Sequence, residues 1–218
     1  MPVFRLTSDV AFPSPECADP DGLLAVGGDL SEERLLLAYS LGIFPWYSKG
    51  SPILWWSPDP RLVLFPSELK VSRSLRQSMK KERFRVTLNS DFEAVIRNCA
   101  HVRRRGQRGT WITEEMIKAY IGLHRAGFAL SAESWSDGAL AGGLYGVRLG
   151  RAFFGESMFA KETDASKTAF VHLVGRLRDE GCVIIDCQVA TEHLRRFGAR
   201  EISRSEFLCF LKDALGGP

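Results

Sequence analysis

The stretch Phe153–Gln188, FFGESMFAKETDASKTAFVHLVGRLRDEGCVIIDCQ, decides the fold. It reads as strand, helix, strand. FFGESMF carries strand-type residues with a glycine inside. Ala169, Phe170, Leu173, Val174 and Leu177 then recur with helical spacing, Gly181 supplies a stop, and VIIDCQV returns as an apolar strand. This unit sets two carboxylates, Glu156 and Asp186, near strand ends, with Gln188 following one of them and apolar residues all round. Such a layout suits a site for a small apolar substrate.

Upstream of this unit, FALSAESW (128–135), ALAGGLYGVRLG (139–150) and RAFFGESMF (151–159) predict three successive strands separated by glycine turns. Before them come RLVLF (61–65), a helix from Ser72, FRVTL (84–88), a helix from Ser90 and a helix from Thr113 to about Ala126. Residues 1–62 differ in kind. They are dense in turn signals and hold one clear helix, from the N-cap Ser31 to about Leu41, with Leu35, Leu36 and Tyr39 on its apolar stripe. The expected fold class is therefore α/β of the α+β kind, a mixed sheet flanked by helices over residues 63–218, with a small N-terminal domain over residues 1–62.

With 218 residues, 45% hydrophobic and 25% charged, the chain can bury one large core, or one core and a small satellite. Five cysteines without CxxC spacing, and a start lacking a charged and apolar leader, predict a reduced, cytoplasmic protein. No apolar run approaches the roughly 18 residues of a membrane helix. Four scattered histidines at non-ligand spacing give no expectation of a metal.

The formal net charge of +3 conceals a polarity along the chain. Residues 1–60 hold three basic and eight acidic side chains, whereas residues 70–108 hold twelve basic and three acidic. Arg73, Arg76 and Lys80 share one face of the helix predicted from Ser72, beside the apolar Leu75 and Met79. A phosphate backbone is a natural partner for that face, and a solvated helix followed by an Arg-rich loop accounts for it equally.

Ten ordered segments, FPSPE, GLLAVGGDL, GIFPW, ILWWSPDPR, GTWI, GGLYGV, GESMF, ASKTA, IIDCQV and FGA, run through nearly the whole chain. In this order they resemble the bacterial leucyl/phenylalanyl-tRNA-protein transferase family. The resemblance implies a GNAT-like acyltransferase domain carrying a small N-terminal domain. It also implies transfer of Leu or Phe from aminoacyl-tRNA to the N-terminal amine of proteins beginning with Arg or Lys, marking them for N-degron degradation, with aminoacyl-tRNA as co-substrate and no cofactor.

An aminoacyl ester is already activated, and an α-amino group with a pKa of about 7.7–8.0 is partly neutral near pH 7. The task is chiefly to hold amine against carbonyl, which is worth roughly 7–11 kcal/mol, and to stabilise the oxyanion. That explains the lack of a nucleophile triad. By the period of two, Asp186 and Gln188 share a strand face, so the carboxylate is expected to orient the amide, whose oxygen accepts from the incoming amine. In the family these two positions are proposed to assist proton removal. Glu156, after the close-approach Gly155 and before Ser157, is expected to meet a cationic N-terminal residue or its ammonium, near the acceptor. Thr191 stands where some relatives carry an amide.

Leu144, Phe153, Met158, Phe170 and Ile185 are the candidate walls of an aminoacyl pocket, in which Met158 can repack around branched or planar side chains. A hydrophobic slot discriminates by only about 1–3 kcal/mol per methylene, so Met is expected as a weaker donor. Plain core is the other reading of such stripes. Trp46 in GIFPW and Trp111 in GTWI sit in glycine-flanked turns, and the resemblance makes both stacking platforms for the terminal adenine of tRNA. Trp55 and Trp56 are expected to close an interdomain seam, and Asp59 to pair with Arg61.

HVRRRGQRGTWI (101–112) nearly fits an acetyl-CoA pyrophosphate loop, but Arg108 stands where the final small residue belongs. That counts against an acetyl-CoA-dependent N-acetyltransferase. A non-catalytic RNA-binding module explains the basic segment and leaves the ordered site residues unaccounted for.

Overall fold

The computed structural model describes residues 3–102 and 110–216. Most of the basic loop singled out above, residues 103–109, lies outside the described residues, as do residues 1–2 and 217–218. The first third of the chain forms β1 (Phe4–Leu6), β2 (Leu23–Gly27), α1 (Glu32–Ser40), β3 (Phe44–Pro45) and β4 (Leu54–Trp56). Its four short strands make one sheet in the order β1-β2-β4-β3, with β1 and β2 parallel. Only the helix of this part was legible in the residue pattern. The strands are two to five residues long and carry too few positions for an alternation to register.

The remainder supplies β5 (Arg61–Leu64), α2 (Arg73–Met79), β6 (Arg85–Leu88), α3 (Phe92–His101), α4 (Glu114–Arg125), β7 (Ala129–Ser136), β8 (Ala139–Leu149) and β9 (Ala152–Ala160). It continues through α5 (Ala165–Asp179), β10 (Ile184–Gln188), α6 (Glu192–Arg195), β11 (Arg200–Ile202) and α7 (Arg204–Ala214). Seven strands form the second sheet, in the order β11-β5-β10-β9-β8-β7-β6. β7, β8 and β9 are an antiparallel meander, and α5 carries the chain back so that β10 lies parallel to β9, with Ile185 opposite Phe153. The expected mixed sheet with helices packed on it is what forms.

Hydroxyl and carboxylate caps start the helices where the residue pattern places them. Ser31, Ser72 and Thr113 accept from the main-chain N–H groups of Arg34, Leu75 and Met116, each three residues on. The helix expected from Ser90 begins two residues later. Asp91 takes the cap by accepting from Ala94, while the Ser90 N–H turns to Glu133. Gly181, at φ 81°, ends α5 in a conformation that costs glycine little.

The period of two then sorts side chains onto the two faces of the large sheet. Val63, Phe154 and Ile184 join a core shared with α1, α3, α4 and α7, whereas Leu62, Leu64, Phe153 and Ile185 join a second core with α2 and α5. Burying each such side chain contributes about 1.5–3 kcal/mol. The second core is the one that opens into a cavity.

Candidate active site

Between the second core and the tip of the small sheet lies a cavity of about 430 Å³, within the range of small-molecule sites. Leu144 of β8, Phe153 and Met158 of β9, Phe170 of α5 and Ile185 of β10 form its apolar walls. Gly155, Glu156 and Ser157 pass along it, and Gln188 stands at its polar end. Trp46, just after β3, and Trp111, just before α4, complete the lining, so every candidate pocket and stacking residue borders one space. Trp46 is 38% exposed and Trp111 half-buried.

The carboxylates are arranged differently from expectation. Glu156 is only 8% exposed, and both its carboxylate oxygens are engaged by neighbouring side chains although it borders the cavity. Its Oε1 lies 2.8 Å from the Tyr39 hydroxyl and accepts from Gln188 Nε2 at 2.9 Å, while Oε2 lies 3.1 Å from the Tyr120 hydroxyl. Burial, reinforced by the negative charge of Asp186, outweighs these hydrogen bonds and pushes the carboxyl up to about 7. Both tyrosines are held well above the usual phenol range, first by burial and then by the charge of Glu156.

Asp186 is buried and does not line the cavity. Arg61 of β5 donates to it twice, through Nε at 2.8 Å and Nη2 at 2.7 Å, and the Gln188 main-chain N–H donates to Oδ1 at 2.8 Å. The shared strand face expected for Asp186 and Gln188 is broken by a register shift between them, with Gln188 at φ 61°. Asp186 therefore fixes the Gln188 backbone, and Glu156 orients its amide. With Nε2 given to Glu156, Oε1 is left to accept from a ligand.

The pairing expected between Asp59 and Arg61 is likewise absent. Arg61 turns inward to Asp186, its guanidinium over the rings of Phe44 and Phe207, and Asp59 accepts the Arg204 N–H instead. Trp55 is buried, its ring against Phe12 and its indole N–H donated to Gly27. Trp56 packs on Trp46, with ring centroids 6.0 Å apart, and donates to the Trp46 carbonyl, so it braces a lining residue rather than a seam.

Arg73 and Arg76 on α2, and Lys80 just past its end, are exposed and do not border the cavity. Leu75 and Met79 of that helix pack against the second core, which separates the basic face from the cavity it helps to wall. Thr191, His193 and Leu194 of the α6 region also border the cavity, as do Phe44, Tyr145 and Cys187. Arg61, Tyr39 and Tyr120 contact Asp186 and Glu156 from three separate elements, and no sequence signal marked them for that place. Among the described residues no cluster of three or more His, Cys, Asp or Glu could hold a metal ion, and no helix is long and apolar enough to cross a membrane.

Comparison with known proteins places the chain. A family model described as leucyl/phenylalanyl-tRNA protein transferase matches residues 63–212, and the model of that family's N-terminal domain matches residues 28–59. A leucyl/phenylalanyl-tRNA–protein transferase of Anaeromyxobacter sp. (strain K) is 62% identical over 218 residues, 100% of this chain and 94% of the relative. That of Syntrophobacter fumaroxidans is 62% identical over 213 residues, covering 98% of this chain and 91% of its own. The one from Myxococcus xanthus is 56% identical over 220 residues, 100% and 94%. Among solved structures, L-PGS from Bacillus licheniformis overlaps 78% of this chain and 54% of its own at 11% identity and a TM-score of 0.43, too distant to bear on function. The chain belongs to the leucyl/phenylalanyl-tRNA protein transferase family.

Proposed function

We propose that the chain transfers Leu or Phe, and Met weakly, from aminoacyl-tRNA to the N-terminal amine of proteins that begin with Arg or Lys. One observation carries this reading: a cavity with greasy walls at one end has the Gln188 amide at the other and two indoles, Trp46 and Trp111, on its border. The aminoacyl side chain fills the apolar end, and the terminal adenine stacks on the indoles. Gln188 Oε1 accepts from the incoming amine and holds its lone pair toward the ester carbon. The C–N bond forms, the ester C–O bond breaks, and a proton from the amine ends on the ribose oxygen that leaves. An amide is too weak a base to hold that proton at neutral pH, so Gln188 positions the amine, and Asp186 with Arg61 positions Gln188. The exposed face of Arg73, Arg76 and Lys80 meets the tRNA phosphates.

A GNAT-like arrangement for residues 63–218, a separate small domain over residues 1–62, a cytoplasmic setting and the absence of a cofactor belong to the same proposal. Incubation with radiolabelled Phe-tRNA and an unfolded protein beginning with Arg is expected to give label on protein that survives RNase. Dependence on acetyl-CoA would favour the acetyltransferase reading, and tRNA binding without transfer would leave an RNA-binding module. Trp111→Ala is expected to raise KM for aminoacyl-tRNA roughly tenfold with kcat nearly kept, since base stacking contributes about 1–3 kcal/mol. An equal fall in kcat would remove Trp111 from the stacking role.

A further inference from the structure

We propose that Glu156 carries a proton in the resting protein, closing a ring of three O–H···O hydrogen bonds with Tyr39 and Tyr120. The Tyr39 hydroxyl touches Glu156 Oε1, the Tyr120 hydroxyl touches Glu156 Oε2, and the two hydroxyls touch each other. Three oxygen–oxygen contacts need three hydrogens. The tyrosines supply two. With Glu156 ionised, one contact must bring lone pair against lone pair inside a buried space, where an unmet polar contact is most costly. A neutral carboxyl supplies the third hydrogen and lets the bonds run round the ring in either sense, while Oε1 still accepts Gln188 Nε2.

The surroundings agree with this count. α1 contributes Tyr39 and α4 contributes Tyr120, whose ring meets Tyr145 of β8 edge-on. β10 contributes Asp186, whose charge disfavours a second anion nearby although Arg61 of β5 is bonded to it. The other titratable groups bordering the cavity among the described residues are Tyr145, Cys187 and His193, and burial holds Cys187 up and His193 down, which disfavours the charged form of each. Burial of Glu156 itself pushes its carboxyl up to about 7, so the protonated form gains as pH falls below neutrality.

The consequence falls on Gln188. Tyr39, Tyr120 and neutral Glu156 act as positioning residues that keep the amide nitrogen anchored and its oxygen toward the cavity. Loss of the ring proton leaves two hydrogens for three contacts, which parts the two hydroxyls and shifts the carboxylate to which Gln188 Nε2 is bonded. This consequence for turnover rests on the transferase reading; the proton count does not.

Two measurements test it. In the substrate-free protein, infrared difference spectra or carbon NMR of labelled glutamate should show one protonated carboxyl at about pH 6, far above the ordinary glutamate range. That signal should disappear as pH rises through neutrality and be absent from Glu156→Gln. A Glu156 already ionised at that pH overturns the proposal, whatever the protein catalyses. In transfer assays, Glu156→Gln, whose amide can donate where the carboxyl O–H did, should lower turnover severalfold and flatten the alkaline fall of the rate relative to the parent protein. An unchanged alkaline limb in that variant also overturns it. An intact carboxyl signal in a protein that transfers nothing would sink the functional reading and leave the proton assignment standing.

Discussion

Arg61→Ala is expected to lower the stability of the chain by about 3–5 kcal/mol, the usual cost of leaving one member of a buried ion pair without its partner. The guanidinium and carboxylate side chains are 0% and 2% exposed, so water cannot replace what is lost. Asp186→Ala should cost a similar amount, for it strands a buried cation whose Nη1 already lacks a hydrogen-bond partner among the described residues. Against a typical total of about 5–15 kcal/mol, either change brings the protein close to unfolding. Chemical denaturation with parallel transfer assays separates stability from function. Arg61→Met combined with Asp186→Leu removes both charges and fills similar volume, so it should recover most of the lost stability. Turnover should stay low in the double variant, because the Gln188 N–H has lost the Oδ1 that pins it and the turn at φ 61° is no longer held. A double variant that regains stability and rate together would show that Asp186 has no part in placing Gln188.

This pair also marks where the sequence stops being informative. The meander β7–β9 and α5 were legible because their residues alternate or recur over eight or more positions, and the five-residue β10 because it falls in a short apolar run set off by Gly181 after a helix. The cavity walls followed from the same alternation, since Phe153 and Ile185 are partners across adjacent parallel strands. Arg61 beside Asp59 reads as a local pair, and only the antiparallel register of β5 against β10 reveals that Arg61 belongs to a carboxylate 125 residues away. Tyr39 and Tyr120 are 81 residues apart, each on an ordinary amphipathic helix, and nothing local distinguishes them from core tyrosines. The bulge at Gln188 was hidden for another reason. Glutamine rarely adopts a positive φ, so the period of two continued on paper where the backbone abandons it. The C-terminal α7 is a missed opportunity of a simpler kind: Ser203 caps it and Phe207, Leu211 and Ala214 make its buried stripe, all visible in the residues.

Gly146→Ala should change donor selection as well as stability. A Cβ built at Gly146 would lie 2.2 Å from the Phe154 carbonyl oxygen and 2.4 Å from Phe153 Cζ, distances no side chain tolerates. The carbonyl belongs to the neighbouring strand β9, paired with β8 at this point, and it has little freedom to retreat. The Phe153 ring is the part that can move, and it walls the cavity. Overpacking typically costs about 1–3 kcal/mol, and a contact with a main-chain oxygen that the ring cannot relieve places this substitution at or above the top of that range, which chemical denaturation would read directly. The ring that absorbs the clash must take up space in a cavity of about 430 Å³, and a planar phenylalanyl side chain loses more from that narrowing than a leucyl one. The ratio of kcat/KM for Phe-tRNA over Leu-tRNA is therefore expected to fall roughly tenfold, within the range that one methylene of pocket space commands. Equal losses for the two donors would mean that Phe153 relaxes away from the cavity, and that the apolar end of the site is bounded by Met158 and Phe170 without it.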